Sequence, residues 1–265
     1  LARGGVANAL ICIHTLKEPS MGNHYTSLTC LTTDQAAVAD VLRRHQRAAF
    51  VLPPIKGCIV VYDQECDTPD FDEVSTLSMR LSTELACLVF AVLNYDDDLL
   101  WYCLYSDGAL VDQYNSFPGY LDVSIGTEPT GGDPEGLCRA FGKPESLWKL
   151  NKLLRNPDFI TATEHHEAIA NALDLPIAIS QLSYSELVRE GFGNDQLANT
   201  VLAISRTDVA KVVPVEPVPL SFDLEKEVRD LVRRDKVISA IYLYRATTDC
   251  SLQEAHDYVL ALKPQ

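Results

Sequence analysis

Acidic side chains are the most numerous potential ligands in this 265-residue chain. They are concentrated in the stretch 63–73 and in the run Asp96-Asp97-Asp98. Loop carboxylates can bind Ca²⁺ or Mg²⁺. Neither stretch has the spacing of a calcium-binding loop, however, and consecutive aspartates on a tight turn point in different directions. We therefore predict solvated acidic turns, with no metal and no cofactor.

A second candidate is the run Glu164-His165-His166-Glu167, which nearly matches the helical zinc-protease motif. That motif would need its second histidine at residue 170, which is alanine. Two adjacent histidines on a helix also diverge too far to bind one metal ion. The run is instead predicted to form the first turn of a helix, where acidic residues are favourable.

The sequence gives little support for nucleophilic catalysis. It has no Gly-x-Ser-x-Gly motif, and its eight cysteines include no Cys-x-x-Cys pair. Most cysteines, such as Cys87 and Cys103, lie in apolar runs, which predicts buried and reduced thiols. A pair formed by a cysteine and a distant histidine stays possible. The glycine-containing stretch 126–132 lacks the lysine of a phosphate-binding loop and predicts a connector.

Aromatic residues suggest a binding surface instead. The stretch 114–120 carries Tyr114, Phe117 and Tyr120 next to Pro118 and Gly119, which is typical of an exposed loop. Aromatic side chains serve well at protein interfaces. The three aromatic residues are our candidate recognition edge. Packing in the core is the alternative for the wider aromatic cluster that begins at Trp101.

The elements that would position these residues follow from apolar periodicity. Strands are predicted over 27–32, 87–93, 99–105 and 109–114, with one or two more in 48–62. Helices are predicted over 34–45 and 74–86. Together these elements predict an α+β domain over 21–125, with two helices covering a mostly antiparallel sheet. Asp107-Gly108 is the expected hairpin turn.

The region 126–212 is predicted to be mainly helical. Its helices are expected over 135–141, 145–154, 163–173 and 183–190, with a possible strand within 201–213. Alternating prolines then predict a stiff linker over 213–221. Residues 1–20 precede Met21, and we expect them to be an upstream extension.

Composition narrows the class of protein. The net charge is −15, which argues against nucleic-acid binding because phosphate contacts need clustered Lys and Arg. Residues 222–265 contain seven Lys and Arg and eight Asp and Glu, so residues 1–221 carry −14 of this charge. No apolar run is long enough to cross a membrane. We therefore expect a soluble, cytoplasmic protein.

The tail, 222–265, is predicted to be a module of three short helices. Its second segment reads Lys236-Val-Ile-Ser-Ala-Ile-Tyr-Leu-Tyr-Arg245, and Ser251-Leu-Gln-Glu254 is a capping box that opens the third. This pattern resembles the helical hairpin of the C-terminal domain of the bacterial ribosomal stalk protein. That family binds translation-factor GTPases through lysines on the two helices. Here Tyr242, Gln253 and His256 stand at lysine positions.

These observations predict a bacterial protein that works by binding another, unknown protein. The resemblance implies contacts through the hairpin, for which Tyr242, Arg245 and His256 are the candidate residues beside the aromatic loop. Two alternatives stay open. One is an enzyme whose acidic or Cys/His site is assembled from distant segments, and the other is an acidic partner that neutralises a basic protein.

Overall fold

A computed structural model describes residues 23–120, 126–155, 159, 161–176, 181–192, 200–205 and 224–233, and the single C-terminal positions 240, 244, 248, 258, 259, 261 and 262. The strands are β1 (Tyr25–Cys30), β2 (Ala49–Val51), β3 (Ile59–Asp63), β4 (Leu88–Tyr95), β5 (Leu99–Ser106), β6 (Ala109–Asn115), β7 (Thr130–Gly131) and β8 (Leu202–Ile204). The helices are α1 (Gln35–Arg44), α2 (Phe71–Leu85), α3 (Pro134–Phe141), α4 (Leu147–Arg155), α5 (Ala162–Leu173), α6 (Tyr184–Glu190) and α7 (Leu224–Arg233).

The eight strands form one sheet in the order β7-β6-β5-β4-β1-β3-β2-β8. All of its strand pairs are antiparallel. The α+β class and the mostly antiparallel sheet predicted from the sequence are therefore confirmed. The strand β1 lies near the centre, between β4 and β3, although it is first in the chain.

The central strands β1, β3, β4 and β5 are buried on both faces of the sheet, which explains their nearly continuous apolar character. On one face, α1 and α2 pack on side chains that include Trp101 and Tyr105. On the other face, α3, α4 and α5 pack on side chains that include Leu100, Tyr102 and Leu104. The alternation along β5 thus sends Trp101 and Tyr105 to one core and Tyr102 to the other, as strand geometry requires.

The helix boundaries follow local capping signals. The Asp34 carboxylate accepts from Ala37 N at the start of α1, and Asp70 accepts from the amides of residues 72 and 73 at the start of α2. Ala86, at φ 48°, ends α2 in the left-handed region. The predicted turn between β5 and β6 is also present, with Asp107 and Gly108 at φ 49° and 78°. Gly108 has a second reason to be glycine, because a Cβ there would lie 2.2 Å from the hydroxyl of Thr83.

Residues on both sides of position 125 build the sheet and its covering layers. The region predicted to be mainly helical supplies α3 to α6, and it also adds β7 and β8 at the two edges of the sheet. Helix α6 contributes Leu187 to a smaller cluster that includes Leu52, Val60 and Tyr62.

Several side chains of the acidic stretch 63–73 form ion pairs and hydrogen bonds with other parts of the protein. Arg47, 4% exposed, donates Nε to Asp63 at 2.9 Å and contacts the second oxygen of Asp63 through Nη2. Its Nη1 donates to Glu65 and Glu73, each at 2.5 Å. The expectation of a solvated loop is wrong for Asp63, which is 1% exposed because Arg47 neutralises it inside the protein. Another member, Asp67, accepts from two amides at the start of α6.

In the described part of the tail, α7 buries one apolar side. Val228 and Val232 of α7 are buried together with Ala240 and Val259 in a small separate cluster. On the outer side of α7, Arg229 and Glu225 form an ion pair at 2.7 Å. Most of the second and third predicted helices, the linker 213–221 and residues 1–20 lie outside the described residues.

Within the part of the chain that the structure describes, no helix combines the length and the apolar character needed to cross a bilayer.

Candidate functional site

A cavity of about 470 Å³ lies at the end of the sheet where five chain segments meet. These are the turn after β4, the segment after β6, residues 127–129, the end of α4, and the start of α5 together with Phe159 before it. Ionisable groups from distant positions in the chain converge there. The residues that line the cavity are Asp97, Asp98, Ser116, Phe117, Thr127, Glu128, Pro129, Arg155, Phe159, Thr161, Ala162 and His165.

Asp97 is already engaged in fixing the start of α5. Its carboxylate accepts from Thr163 N at 3.1 Å and also from the Thr163 hydroxyl. It accepts from Asn94 Nδ2 at 3.0 Å and from Asn23 N at 3.2 Å as well. A negative charge at this position is favourable because the amides of the first helical turn carry partial positive charge. Asp97 is thus a structural anion of α5.

The two adjacent histidines of α5 serve different neighbours. His165 Nε2 donates to the carbonyl oxygen of Leu153 at 3.0 Å, and its ring stacks on Phe159 at 4.7 Å. Because it is buried, the pKa of His165 is lowered to about 4, so the imidazole is neutral at pH 7. His166 points elsewhere, with Nδ1 2.8 Å from the Tyr25 hydroxyl, and burial lowers its pKa to about 3. The prediction that these histidines do not share a metal is consistent with this divergence.

Among the described residues, no three His, Cys, Asp or Glu side chains are arranged to hold a metal ion.

The aromatic residues predicted as a recognition edge occupy three different environments. Tyr114 is fully buried and stacks on Tyr102 at 5.4 Å. Phe117 lines the cavity and lies against Tyr120. The Tyr120 hydroxyl donates to Asp98 at 3.0 Å, and its pKa is raised by burial and by the neighbouring carboxylates. Phe117 is therefore the member of this set that faces the cavity.

Beside the cavity, α4 presents an exposed face that is not among the sites predicted from the sequence. Trp148 is 77% exposed, and Lys149, Lys152 and Arg155 are exposed on the same helix. We call these four residues the α4 face. The opposite side of α4 buries Leu150, Leu153 and Leu154 in the core. A helical projection could have found this surface, because Trp148, Lys152 and Arg155 are spaced at i, i+4 and i+7, away from the leucine stripe.

Arg155 connects the α4 face with the cavity. Its guanidinium donates to the carbonyl oxygens of Gly131 and Gly132, each at 2.5 Å, so the side chain is held in place. The segment 143–155 contains four Lys and Arg and one Glu, a local charge of +3 within a region that otherwise carries strong negative charge. The result is a basic helical face next to a cavity whose rim includes Asp98 and Glu128.

Three of the candidate residues, Tyr242, Arg245 and His256, lie outside the described residues. Their described neighbours Tyr244 and Tyr258 stack with ring centres 3.9 Å apart.

Compared with protein-family models, with curated proteins and with solved structures, the chain matches none of them.

Proposed function

We propose that this protein acts by binding another protein, with the α4 face and the neighbouring cavity as its main contact surface. The observation that carries the proposal is the exposure of Trp148, which leaves 77% of its surface in contact with solvent. Tryptophan and arginine are the residues most enriched at the energetic centres of protein interfaces. The α4 face carries both.

The geometry suits an extended or helical segment of a partner. Trp148 and Arg155 are seven residues apart, which corresponds to about 10 Å along the helix axis. A segment lying along α4 would meet Trp148 first, then Lys152, and then Arg155 at the edge of the cavity. We expect the partner to present acidic groups to the lysines and an apolar side chain to Trp148.

Two features favour a protein partner over other classes of ligand. The net charge of −15 opposes long polyanions such as nucleic acids, whereas a short acidic segment needs only the local +3 charge. In the cavity, Asp97 and His165 are already hydrogen-bonded within the protein. The cavity therefore offers a shaped polar surface, which can receive a side chain of the partner.

The tail is proposed as a second contact element. Its resemblance to the stalk-protein hairpin motivates this role, and α7 supports it by burying Val228 and Val232 in a cluster separate from the two cores of the sheet. Charged side chains such as Arg229 and Glu225 then face outward, where a partner can reach them.

The test is a comparative pull-down from cell extract with the full chain. Trp148→Ala is expected to weaken binding of the specific partner by about tenfold or more, since truncating an interfacial tryptophan typically costs over about 1.4 kcal/mol. Lys149→Glu combined with Lys152→Glu should weaken it further, and the loss should be greatest at low salt. The matched control is Val188→Ala, because Val188 is also an exposed apolar residue, 62% exposed on α6.

The outcomes separate the candidate functions. A partner that binds wild type and Val188→Ala but not Trp148→Ala supports the proposal. A chain that ends at residue 221 tests the contribution of the tail in the same assay. Equal recovery of every partner by wild type and Trp148→Ala contradicts a role for the α4 face. Partners that depend on salt but not on Trp148 would favour the alternative of an acidic neutralising protein.

A further inference from the structure

Two cysteines from different parts of the chain lie at neighbouring strands, where β1 ends and β4 begins. Cys30 is the last residue of β1, and Cys87 immediately precedes β4. These strands pair in a register that places Cys30 opposite Val89, and Leu31 N donates to the carbonyl of Leu88 at 2.9 Å. Cys30 and Cys87 both pack in the core beneath α1 and α2. A hydrogen bond between the two thiols is the largest influence on the pKa of each.

The two thiols differ in their access to solvent. Cys30 is completely buried. Cys87 is partly exposed, and of the six cysteines in the described part of the chain the other five are buried. Cys87 is therefore the more accessible of the two residues to a small reagent in solution.

The backbone holds Cys87 in a defined position. Its amide donates to the carbonyl of Ser82 at 3.3 Å, and the Ser82 hydroxyl donates to the carbonyl of Cys87 at 3.0 Å. These bonds fix the residue at the junction between α2 and β4. The approach of the two sulfur atoms is thus built into the fold.

The hydrogen bond also distinguishes the roles of the two thiols. The hydrogen bond from Cys30 lowers the pKa of Cys87, and it outweighs the opposite effect of burial. The pKa of Cys30 is raised by the same hydrogen bond and by burial. Since the thiolate is the nucleophile and Cys87 is also the partly exposed member of the pair, Cys87 is the thiol that reacts first with an oxidant.

We propose that Cys87 is a site of oxidation by hydroperoxides, and that Cys30 resolves the oxidised residue into an intramolecular disulfide. In the first step the Cys87 thiolate attacks one peroxide oxygen, the O–O bond breaks, and a sulfenic acid forms while the second oxygen leaves as an alcohol or water. In the second step the sulfur of Cys30 attacks the sulfur of Cys87. The S–O bond breaks, and hydroxide leaves with the Cys30 proton as water. Two thiols lose two electrons, and one peroxide is reduced.

This site is independent of the proposed binding function. It agrees with the general observation that disulfides of intracellular proteins are often transient and redox-sensing. By contrast, Cys103 lies next to the Ser78 hydroxyl at 3.8 Å, and burial raises the pKa of Cys103 to about 12. Cys103 is therefore not expected to react.

The experiment is a titration of the reduced, folded full chain with hydrogen peroxide, followed by alkylation of the remaining thiols and peptide mapping. Cleavage after acidic residues places Cys30 alone in 19–34, Cys87 alone in 85–96 and Cys138 alone in 136–145. The expected product of wild type is a link between 19–34 and 85–96, with Cys138 still alkylated as the internal control.

Two variants test the order of events. Cys30→Ser should accumulate a Cys87 sulfenic acid that dimedone traps, and Cys87→Ser should form neither product. The proposal is overturned if folded wild type shows no link between these peptides. It is also overturned if Cys30 is oxidised equally fast in Cys87→Ser. Because wild type alone can give the first result, the test does not depend on the folding of Cys30→Ser.

Discussion

Replacement of Arg47 should reveal how much of the stability depends on one buried cation. Arg47 lies between β3 and the start of α2, and its guanidinium contacts Asp63, Glu65 and Glu73. Burial alone would lower the pKa of Arg47, but the hydrogen bond and the charge of Asp63 raise it overall. The guanidinium therefore stays charged inside the protein. We consider Arg47→Met, which keeps an apolar stem of similar length.

The magnitude follows from the exposure of the three acidic partners. The Asp63 side chain is 0% exposed, so without Arg47 it becomes a buried carboxylate with no counter-charge. Removing one partner of a buried ion pair typically costs about 3–5 kcal/mol. Glu65 and Glu73, 38% and 22% exposed, can turn toward water and should add little. The total stability of a domain is only about 5–15 kcal/mol, so Arg47→Met should remove a large part of it.

The assay is equilibrium unfolding in urea, followed by circular dichroism. The control is Arg44→Met, because Arg44 forms a surface ion pair with Glu84 in which the arginine side chain is 57% exposed. Such pairs contribute about 1 kcal/mol or less. A double-mutant cycle adds Asp63→Asn, alone and together with Arg47→Met. The double variant should be less destabilised than the sum of the two single variants, since it no longer leaves a lone buried charge.

Two results would refute this reasoning. One is a loss of stability for Arg47→Met no larger than that for Arg44→Met. The other is strict additivity of Arg47→Met and Asp63→Asn, which would mean that the two groups do not interact in the folded state.

Three further predictions concern acid, a cap and a glycine. Burial holds the pKa of His165 and His166 below 6.5, at about 4 and about 3, so stability is present above pH 6.5 and is lost as the unfolded state binds protons below it. By about pH 5 each histidine should lower the free energy of unfolding by about 2 kcal/mol. His166→Gln should therefore make the free energy of unfolding fall less steeply between pH 6.5 and about pH 5. Asp67→Ala should lower the free energy of unfolding, measured in urea, by about 1 kcal/mol. The reason is that the amides of Tyr184 and Ser185 at the start of α6 lose the carboxylate that accepts from them. Gly131→Ala should lower the melting temperature, since its Cβ would lie 2.1 Å from the carbonyl oxygen of Gln113.

Each of these three has its own control. An unchanged pH slope in His166→Gln would show that the imidazole does not titrate as described. Asp67→Asn keeps one acceptor oxygen and should be milder than Asp67→Ala, and equal effects would argue against a capping role. Gly126→Ala should be neutral, because nothing lies within 4 Å of the place that its new methyl group would take. A similar cost for both glycines would remove the steric explanation.

The sequence predicted those parts of the fold in which the signal is local. Helix α1 begins after Asp34 and α6 after Ser183, as their capping residues indicate. The turn at Asp107-Gly108 and the opposite orientations of neighbouring β5 side chains are likewise local properties of the chain. Strand order is different, because the placement of β1 between β4 and β3 depends on the packing of the whole sheet.

The candidate site was harder to predict because its partners are distant in sequence. Asp97 and Thr163 are separated by 66 positions, and nothing near Asp97 indicates that it will fix the start of a helix. Cys30 and Cys87 are likewise far apart in the sequence, and only the pairing of β1 with β4 brings them together. Trp148 is a different case, since its position outside the leucine stripe of α4 is visible in the sequence. What the sequence lacks is the information that no described element covers that side of α4.

Part of the negative charge of this protein has a structural role that composition alone does not suggest. An aspartate accepts from amides at the start of five of the six helices α1 to α6. The residues are Asp34 for α1, Asp70 for α2, Asp133 for α3, Asp97 for α5 and Asp67 for α6. Three precede their own helix, and two come from distant segments. Because each satisfies amides that would otherwise lack partners, these charges stabilise the fold in addition to any effect on solubility. Helix α4 is the exception, since it continues a short 3-10 turn that has no side-chain cap. The helix that has no aspartate accepting from its first amides is also the one with the basic exposed face. Among the helices α1 to α6, this contrast makes α4 the one where an acidic partner would meet the least repulsion.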